Sequence, residues 1–180
     1  MLRQEARQLS VDEIRSAEIQ QLIEAMRETM YDAPGVGLAA PQIGLPLQLA
    51  VIEDKPEYTE KAPAEALAER ERTAVPFHVI INPRIRPQEG EEIRFYEGCL
   101  SLCGFMALVP RKRKVVVDCL DHNGEPRMIE ASGWYARILQ HEIDHLAGTI
   151  YIDRMLPRSF TSVENLNRFF GGVFGRPPSS

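Results

Sequence analysis

Gln140-His141-Glu142-Ile143-Asp144-His145-Leu146-Ala147-Gly148 decides how the rest of the chain is read. It contains the pattern His-Glu-x-x-His. On an α-helix, residues i and i+4 lie on one face about one turn apart, so His141 and His145 can present ring nitrogens to a single metal ion. Glu142 follows the first of them and can reach a water on that metal without being a ligand itself. The preceding Ser132-Gly133-Trp134-Tyr135-Ala136-Arg137-Ile138-Leu139 continues the helical pattern, with Trp134, Ile138, Ile143 and Leu146 apolar. Ser132 is placed to cap the start and Gly148 to close the end. Two histidines and a glutamate can fall on an ordinary helix by chance. This helix, however, is apolar enough to be buried, and buried imidazoles need partners.

Composition narrows the setting. The chain has 180 residues, 44% of them hydrophobic, and a formal charge of -5. That fits one domain, residues 1–180, with room for a sizeable core. No basic stripe points to a nucleic-acid substrate, and no apolar run has transmembrane length. Cys99, Cys103 and Cys119 make an odd count, which argues against a disulfide framework and for a reducing compartment. Cys103 and Cys119 read as inert thiols, and Cys99, directly after Gly98, has room beside the backbone for a metal.

Along the chain, Ser10-Val11-Asp12-Glu13 fits a capping box, and one long amphipathic helix should run from it to about Tyr31. Leu22, Met26 and Met30 recur along one face, with Ile19 and Ile23 beside them. Gly35-Val36-Gly37-Leu38-Ala39-Ala40-Pro41-Gln42-Ile43-Gly44 is a glycine-rich turn where backbone can approach a ligand; no lysine follows, so it is a poor phosphate loop. Strands are expected over 47–53, 77–82, 91–96, 114–120 and 127–130, with Asn123-Gly124 turning the last pair. The charged stretch 54–76 reads as a solvated loop with a short helix near 64–72. His78 reads as structural and His122 as solvated. A short helix should span about 162–170, and 172–180 reads as a flexible tail.

A catalytic metal usually has three protein ligands and one open position. The helix supplies two, and two candidates remain for the third. One is Cys99. The other is Glu164, since some zinc peptidases take a glutamate downstream of the same motif. Thr161-Ser162-Val163-Glu164 also fits a capping box, which would occupy that carboxylate.

Taken together, three stretches resemble the peptide deformylase family in order: Gly35-Val36-Gly37-Leu38-Ala39-Ala40-Pro41-Gln42, Glu97-Gly98-Cys99-Leu100-Ser101 and Gln140-His141-Glu142-Ile143-Asp144-His145. The lead-in 132–137 and Asp153-Arg154-Met155 look most like the branch with plant and animal organellar enzymes and some bacterial ones. Two departures stand out: the chain begins later than the family usually does, and Leu102-Cys103 replaces the family's Val-Pro or Ile-Pro pair.

The resemblance implies an α+β fold, with antiparallel sheets around a central helix carrying the histidines and a long N-terminal helix. It implies removal of the formyl group from N-formyl-methionyl nascent peptides, with release of formate. Cys99, His141 and His145 would hold one divalent metal, Fe(II) natively, with Zn, Ni or Co in a purified sample. Glu142 would be the base, and the Gln42 amide and Leu100 N–H the oxyanion donors. Val36, Gly37, Phe95, Glu97, Gly98, Trp134, Arg137 and Ile138 would contact substrate, with Arg137 at the pocket edge. The setting would be bacterial cytoplasm, or an organelle after transit-peptide removal. Transient ribosome contact is compatible with such an activity, although the C-terminal segment has few basic residues to support it. Two competing readings are a metallopeptidase using Glu164 and a formyl-peptide binding protein without turnover.

Overall fold

Ser16 divides the N-terminal helical stretch in two. The capping box forms as expected: Ser10 Oγ accepts from Glu13 N–H at 3.2 Å, and Glu13 accepts from Ser10 N–H at 2.7 Å. The helix it starts, α1 (Val11–Arg15), then stops, because Ser16 is extended (ψ 150) and its hydroxyl bonds Glu13 O. The same hydroxyl accepts from Ile19 N–H and caps α2 (Ala17–Asp32). One long helix was expected; a serine that bonds local backbone competes with helix continuation and produces two. The computed structural model describes residues 2–60 and 62–171, the side chain of Pro87 excepted. The expected tail over 172–180 lies outside the described residues.

Five antiparallel strands form the larger sheet, in the order β1 (Gly37–Ala39), β2 (Leu49–Asp54), β3 (Val75–Pro87), β6 (Lys114–Leu120) and β7 (Pro126–Ser132). Side chains alternate across a strand, so each β2 residue has a defined face. Ala50 and Ile52 face the cluster of α4 (Gly133–Leu146), with Ala136, Ile138 and Leu139. Leu49 and Val51 face α2, with Ile23, Met26 and Met30. The sheet therefore lies between the N-terminal helices and the histidine-bearing helix. In β3 the pairing with β6 shifts between Ile81 and Arg84. There Asn82 adopts φ 50, and its side-chain amide bonds both the N–H and the carbonyl of Leu9.

A smaller sheet joins β4 (Glu92–Glu97), β5 (Phe105–Lys112) and β8 (Thr161–Ser162). β5 was not expected, since Phe105-Met106-Ala107-Leu108-Val109 is a continuous apolar run without strand alternation. Its middle is buried from both sides: Ala107 and Val109 pack with Tyr151, and Leu108 with Tyr96 and Leu166. The region 149–152 ends in a 3-10 turn at Tyr151–Asp153. The last helix, α5 (Val163–Phe170), is capped by Ser162, which accepts from Asn165 N–H. The cap lies one residue later than expected, so Glu164 is exposed and takes no part in a capping box.

The stretch 54–76 also differs from a solvated loop. Beyond α3 (Ala64–Glu69), Arg70 is only 4% exposed, and its carbonyl accepts the N–H of Trp134 at 2.8 Å. This backbone contact begins α4, while the Ser132 side chain caps nothing. Gly133 at φ 57 permits it, since a Cβ there would lie 2.6 Å from Arg70 O. No helix among the described residues is long and apolar enough to cross a membrane.

Candidate active site

Cys99 follows the end of β4 and starts the 3-10 turn Leu100–Leu102, which aims its thiol at α4. Cys99 Sγ lies 3.3 Å from His145 Nε2, and donor atoms of Cys99, His141 and His145 all lie within 4.8 Å of one another. The imidazoles meet edge to face, centroids 5.0 Å apart. His145 is fully buried, yet its Nδ1 has no hydrogen-bond partner, and neither does the buried Oε2 of Glu142. A thiol and two imidazoles converging on one point, with polar atoms left unsatisfied beside them, fit a mononuclear metal site. The exposed Glu164 is not part of this cluster, so the structure favours Cys99 as the third donor.

Glu97 orients the set. Its carboxylate meets His141 Nδ1 at 3.1 Å, which leaves Nε2 as the ring nitrogen available to the cluster with Cys99 and His145. Arg111 forks both Glu97 oxygens at 2.9 and 3.0 Å, and Arg137 donates to Oε1 at 2.6 Å. Arg111 also reaches Asp144, which Arg154 holds in a bidentate pair. Placed with the substrate residues from sequence, Glu97 instead has its carboxylate engaged by two guanidiniums and a histidine. Arg137 lines the cavity, and its guanidinium donates to Glu97, Val109 O and Ile93 O. Burial opposes the Glu97 charge, but Arg111 and His141 together outweigh it and hold the carboxyl far below the usual range.

The neighbouring groups are shifted strongly. Burial opposes a proton on His141, but hydrogen bonds with Cys99 and Glu97 and the charge of Glu142 raise its pKa to about 10. Burial, with the charge of His141, drops His145 to about 3. Burial raises Glu142 to about 7.

Gln42 sits in the 3-10 turn after β1. Its Oε1 accepts from Ala39 N–H at 2.8 Å, which points Nε2 at Ser101 Oγ (3.2 Å) and Cys99 Sγ (3.6 Å). Gly37 lies against Glu142, whereas a Cβ at Gly98 would meet nothing closer than 3.5 Å. The tightness expected beside both glycines is therefore present only at Gly37.

A cavity of about 470 Å³ opens onto these groups, lined by Val36, Gly37, Leu100, Trp134 and Ile138 among others. Phe95 does not line it; its ring lies beneath Arg70 (4.5 Å) and Arg137 (5.2 Å). Arg70 and Arg72 do line it, with Arg72 forked onto Asp54 at 2.8 and 2.9 Å. Sequence reasoning missed these two arginines, as well as Arg111 and Asp144, because nothing local distinguishes them from surface charges. Cys103, expected to be an inert buried thiol, is exposed on the cavity wall, with Sγ donating to Leu100 O. Cys119 is buried and His122 exposed, and His78 is held between Pro76 O and Tyr135 Oη, all in keeping with structural or surface roles.

Antiparallel sheets and a helix presenting two histidines to a cysteine from a neighbouring strand end define a mixed α/β protein with a three-donor cluster that could hold a metal ion. The chain belongs to the polypeptide deformylase family, whose model matches residues 1–160. It is 48% identical over 167 residues to the chloroplastic peptide deformylase 1A of Solanum lycopersicum, covering 93% of this chain and 60% of that protein. The chain thus spans about 60% of the length of that curated relative. Among solved structures, a peptide deformylase from Synechococcus elongatus in complex with actinonin matches with TM-score 0.71 and 40% identity, over 86% of this chain and 72% of that one. A Met-Ala-Ser-bound peptide deformylase from Acinetobacter baumannii matches with TM-score 0.75 and 31% identity, over 86% and 91%.

Proposed function

We propose that the chain is the catalytic domain of a metal-dependent hydrolase that removes the N-formyl group from formyl-methionyl nascent peptides and releases formate. The carrying observation is the Glu142 carboxylate, buried against Gly37 beside the converging donors of Cys99, His141 and His145. Those three residues would hold one divalent ion, Fe(II) natively and Zn, Ni or Co in a purified sample. Bound there, it supplies Lewis acidity that polarises a carbonyl and acidifies water.

The chain's own residues do the rest. Glu142 takes the proton of the attacking water and delivers it to the leaving amine, and a carboxyl raised to about 7 is suited to both transfers. The Gln42 amide, fixed by its bond to Ala39 N–H, donates to the oxyanion as charge develops, joined by the N–H of Leu100. β1 is an edge of the five-stranded sheet, so an extended peptide can add to it near Val36 and Gly37. Val36, Trp134 and Ile138 then face the methionine side chain, and the closeness of Glu142 to Gly37 leaves little room for a group larger than formyl. The reading places the protein in bacterial cytoplasm or an organelle, with α4 as the central element of the fold.

The test is anaerobic turnover of formyl-Met-Ala-Ser by Fe(II)-loaded protein, with acetyl-Met-Ala-Ser and an internally cleavable peptide alongside. Formate from the first substrate alone establishes the reading. Internal cleavage without formate assigns the site to a peptidase, and metal binding without either product leaves a binding protein.

A further inference from the structure

The cavity wall beside the methionine position carries a charge that the proposed chemistry does not use. Arg72 follows α3 and lines the cavity together with Trp134 and Ile138. Its guanidinium lies over the Trp134 ring, 5.1 Å from the centroid, so it borders the wall that faces the methionine side chain. Asp54, the last residue of β2, is only 1% exposed and holds that guanidinium in place. It accepts from Arg72 Nε at 2.8 Å and from Nη2 at 2.9 Å. Nε and Nη2 form one edge of the planar fork, so Nη1 points away from Asp54. Nη1 has no acceptor among the described residues, although the Arg72 side chain is only 10% exposed. A cationic donor therefore stands open at the side-chain end of the cavity, where an apolar substrate offers it nothing. A thioether sulfur is a weak acceptor, and a straight hydrocarbon chain of the same length is none.

We infer that Arg72, positioned by Asp54, donates to an oxygen on the substrate's first side chain, so that the cavity accepts formyl-methionine sulfoxide peptides as substrates. This rests on the deformylase reading of the site. Oxidation keeps the length of the methionine side chain and adds one polar oxygen at the sulfur. A wholly apolar pocket rejects such a group, because the oxygen loses its water and gains no partner. Facing Nη1, the oxygen regains a hydrogen bond, and one from a charged donor strengthens binding by about tenfold or more. Asp54 touches no substrate in this arrangement; it acts by fixing which edge of Arg72 faces the cavity.

Three peptides test this on the metal-loaded full chain: formyl-Met-Ala-Ser, the same peptide oxidised to the methionine sulfoxide, and formyl-norleucyl-Ala-Ser. Formate release gives kcat/KM for each. Trp134, the one tryptophan of the chain, lines the cavity, so its fluorescence reports binding of the deformylated peptides separately from turnover. The expected result is that the sulfoxide peptide is hydrolysed within about tenfold of the norleucine peptide. Asp54→Leu combined with Arg72→Leu removes the pair together and leaves no buried charge stranded. In that variant the ratio of sulfoxide to norleucine kcat/KM, and the matching ratio of affinities, should fall by at least about tenfold. Arg72→Lys keeps a cation beside Asp54 but not the fork, and its ratio should lie between the two. Formate from the methionine and norleucine peptides with none from the sulfoxide overturns the inference and leaves the deformylase reading standing. A ratio unchanged in both variants overturns it as well, because the oxygen then does not meet Arg72. No formate from any peptide overturns both readings.

Discussion

A methyl group built on Gly37 would sit 2.3 Å from Oε1 of Glu142 and 2.6 Å from its carboxyl carbon. The absence of a side chain on β1 is therefore what lets the buried carboxylate of α4 occupy its position. Gly37→Ala should displace that carboxylate. Loss of a positioned general base lowers rate by about 100- to 10,000-fold. Formate release is expected to fall by at least about 100-fold while metal content, measured by elemental analysis, is retained.

Glu142→Gln separates chemistry from packing at the same place. It keeps the size of the side chain and removes its basicity, so turnover should fall as far as in Gly37→Ala. The variant should bind metal as the unaltered chain does and unfold at an equal or higher temperature, because a buried ionisable group is replaced by a neutral one. Retained turnover would take the base role away from Glu142.

Cys99→Ser and Glu164→Gln decide the third ligand. The thiol converges with both imidazoles, whereas Glu164 is exposed on α5. Purified Cys99→Ser should lose most of its metal, and Glu164→Gln should keep all of it. The opposite pattern would restore the peptidase reading.

Arg111→Met should destabilise the fold as well as the site. It leaves Glu97 and Asp144 buried with one partner fewer each, and breaking such a buried pair costs about 3–5 kcal/mol. Urea unfolding should show the loss through a lower midpoint. A change under 1 kcal/mol, on the order of a surface ion pair, would mean that Arg137 and Arg154 carry the network alone.

His78 sets an acid limit on stability. Burial, with the charge of Arg127, holds its pKa below the ordinary 6.5, while Pro76 O and Tyr135 Oη hold the ring. Below pH 6.5 the unfolded chain takes up a proton that the folded chain resists. Its contribution is thus complete above 6.5 and declines as pH falls from there. Unfolding free energy followed from pH 7.5 downward should fall less steeply in His78→Gln, and an unchanged slope would exclude His78 as the cause.

Legibility differed by the range of the forces involved. The i, i+4 histidines, the Ser10–Glu13 cap, the hydrophobic face of α2 and the Asn123-Gly124 turn depend on residues a few positions apart, and each is readable in sequence. The same local rules failed at Ser16, where one hydroxyl serves two helices, and at β5, whose strand state follows from burial between α4, α5 and Tyr151 rather than from alternation.

Residue type and spacing alone thus singled out His141 and His145, with Cys99 and Glu164 as candidates for the third donor, because metal ligation demands particular atoms. Tertiary structure decided what holds them. Glu97, Arg111, Arg137 and Asp144 come from β4, β5 and α4, and only the fold joins them into a buried network behind His141. The stretch holding Arg70 was likewise read as solvated, yet Arg70 is buried, with its carbonyl on Trp134 N–H and its guanidinium over the rings of Phe95 and Trp134. A charge becomes structural when water is removed from around it, and that removal depends on the whole chain.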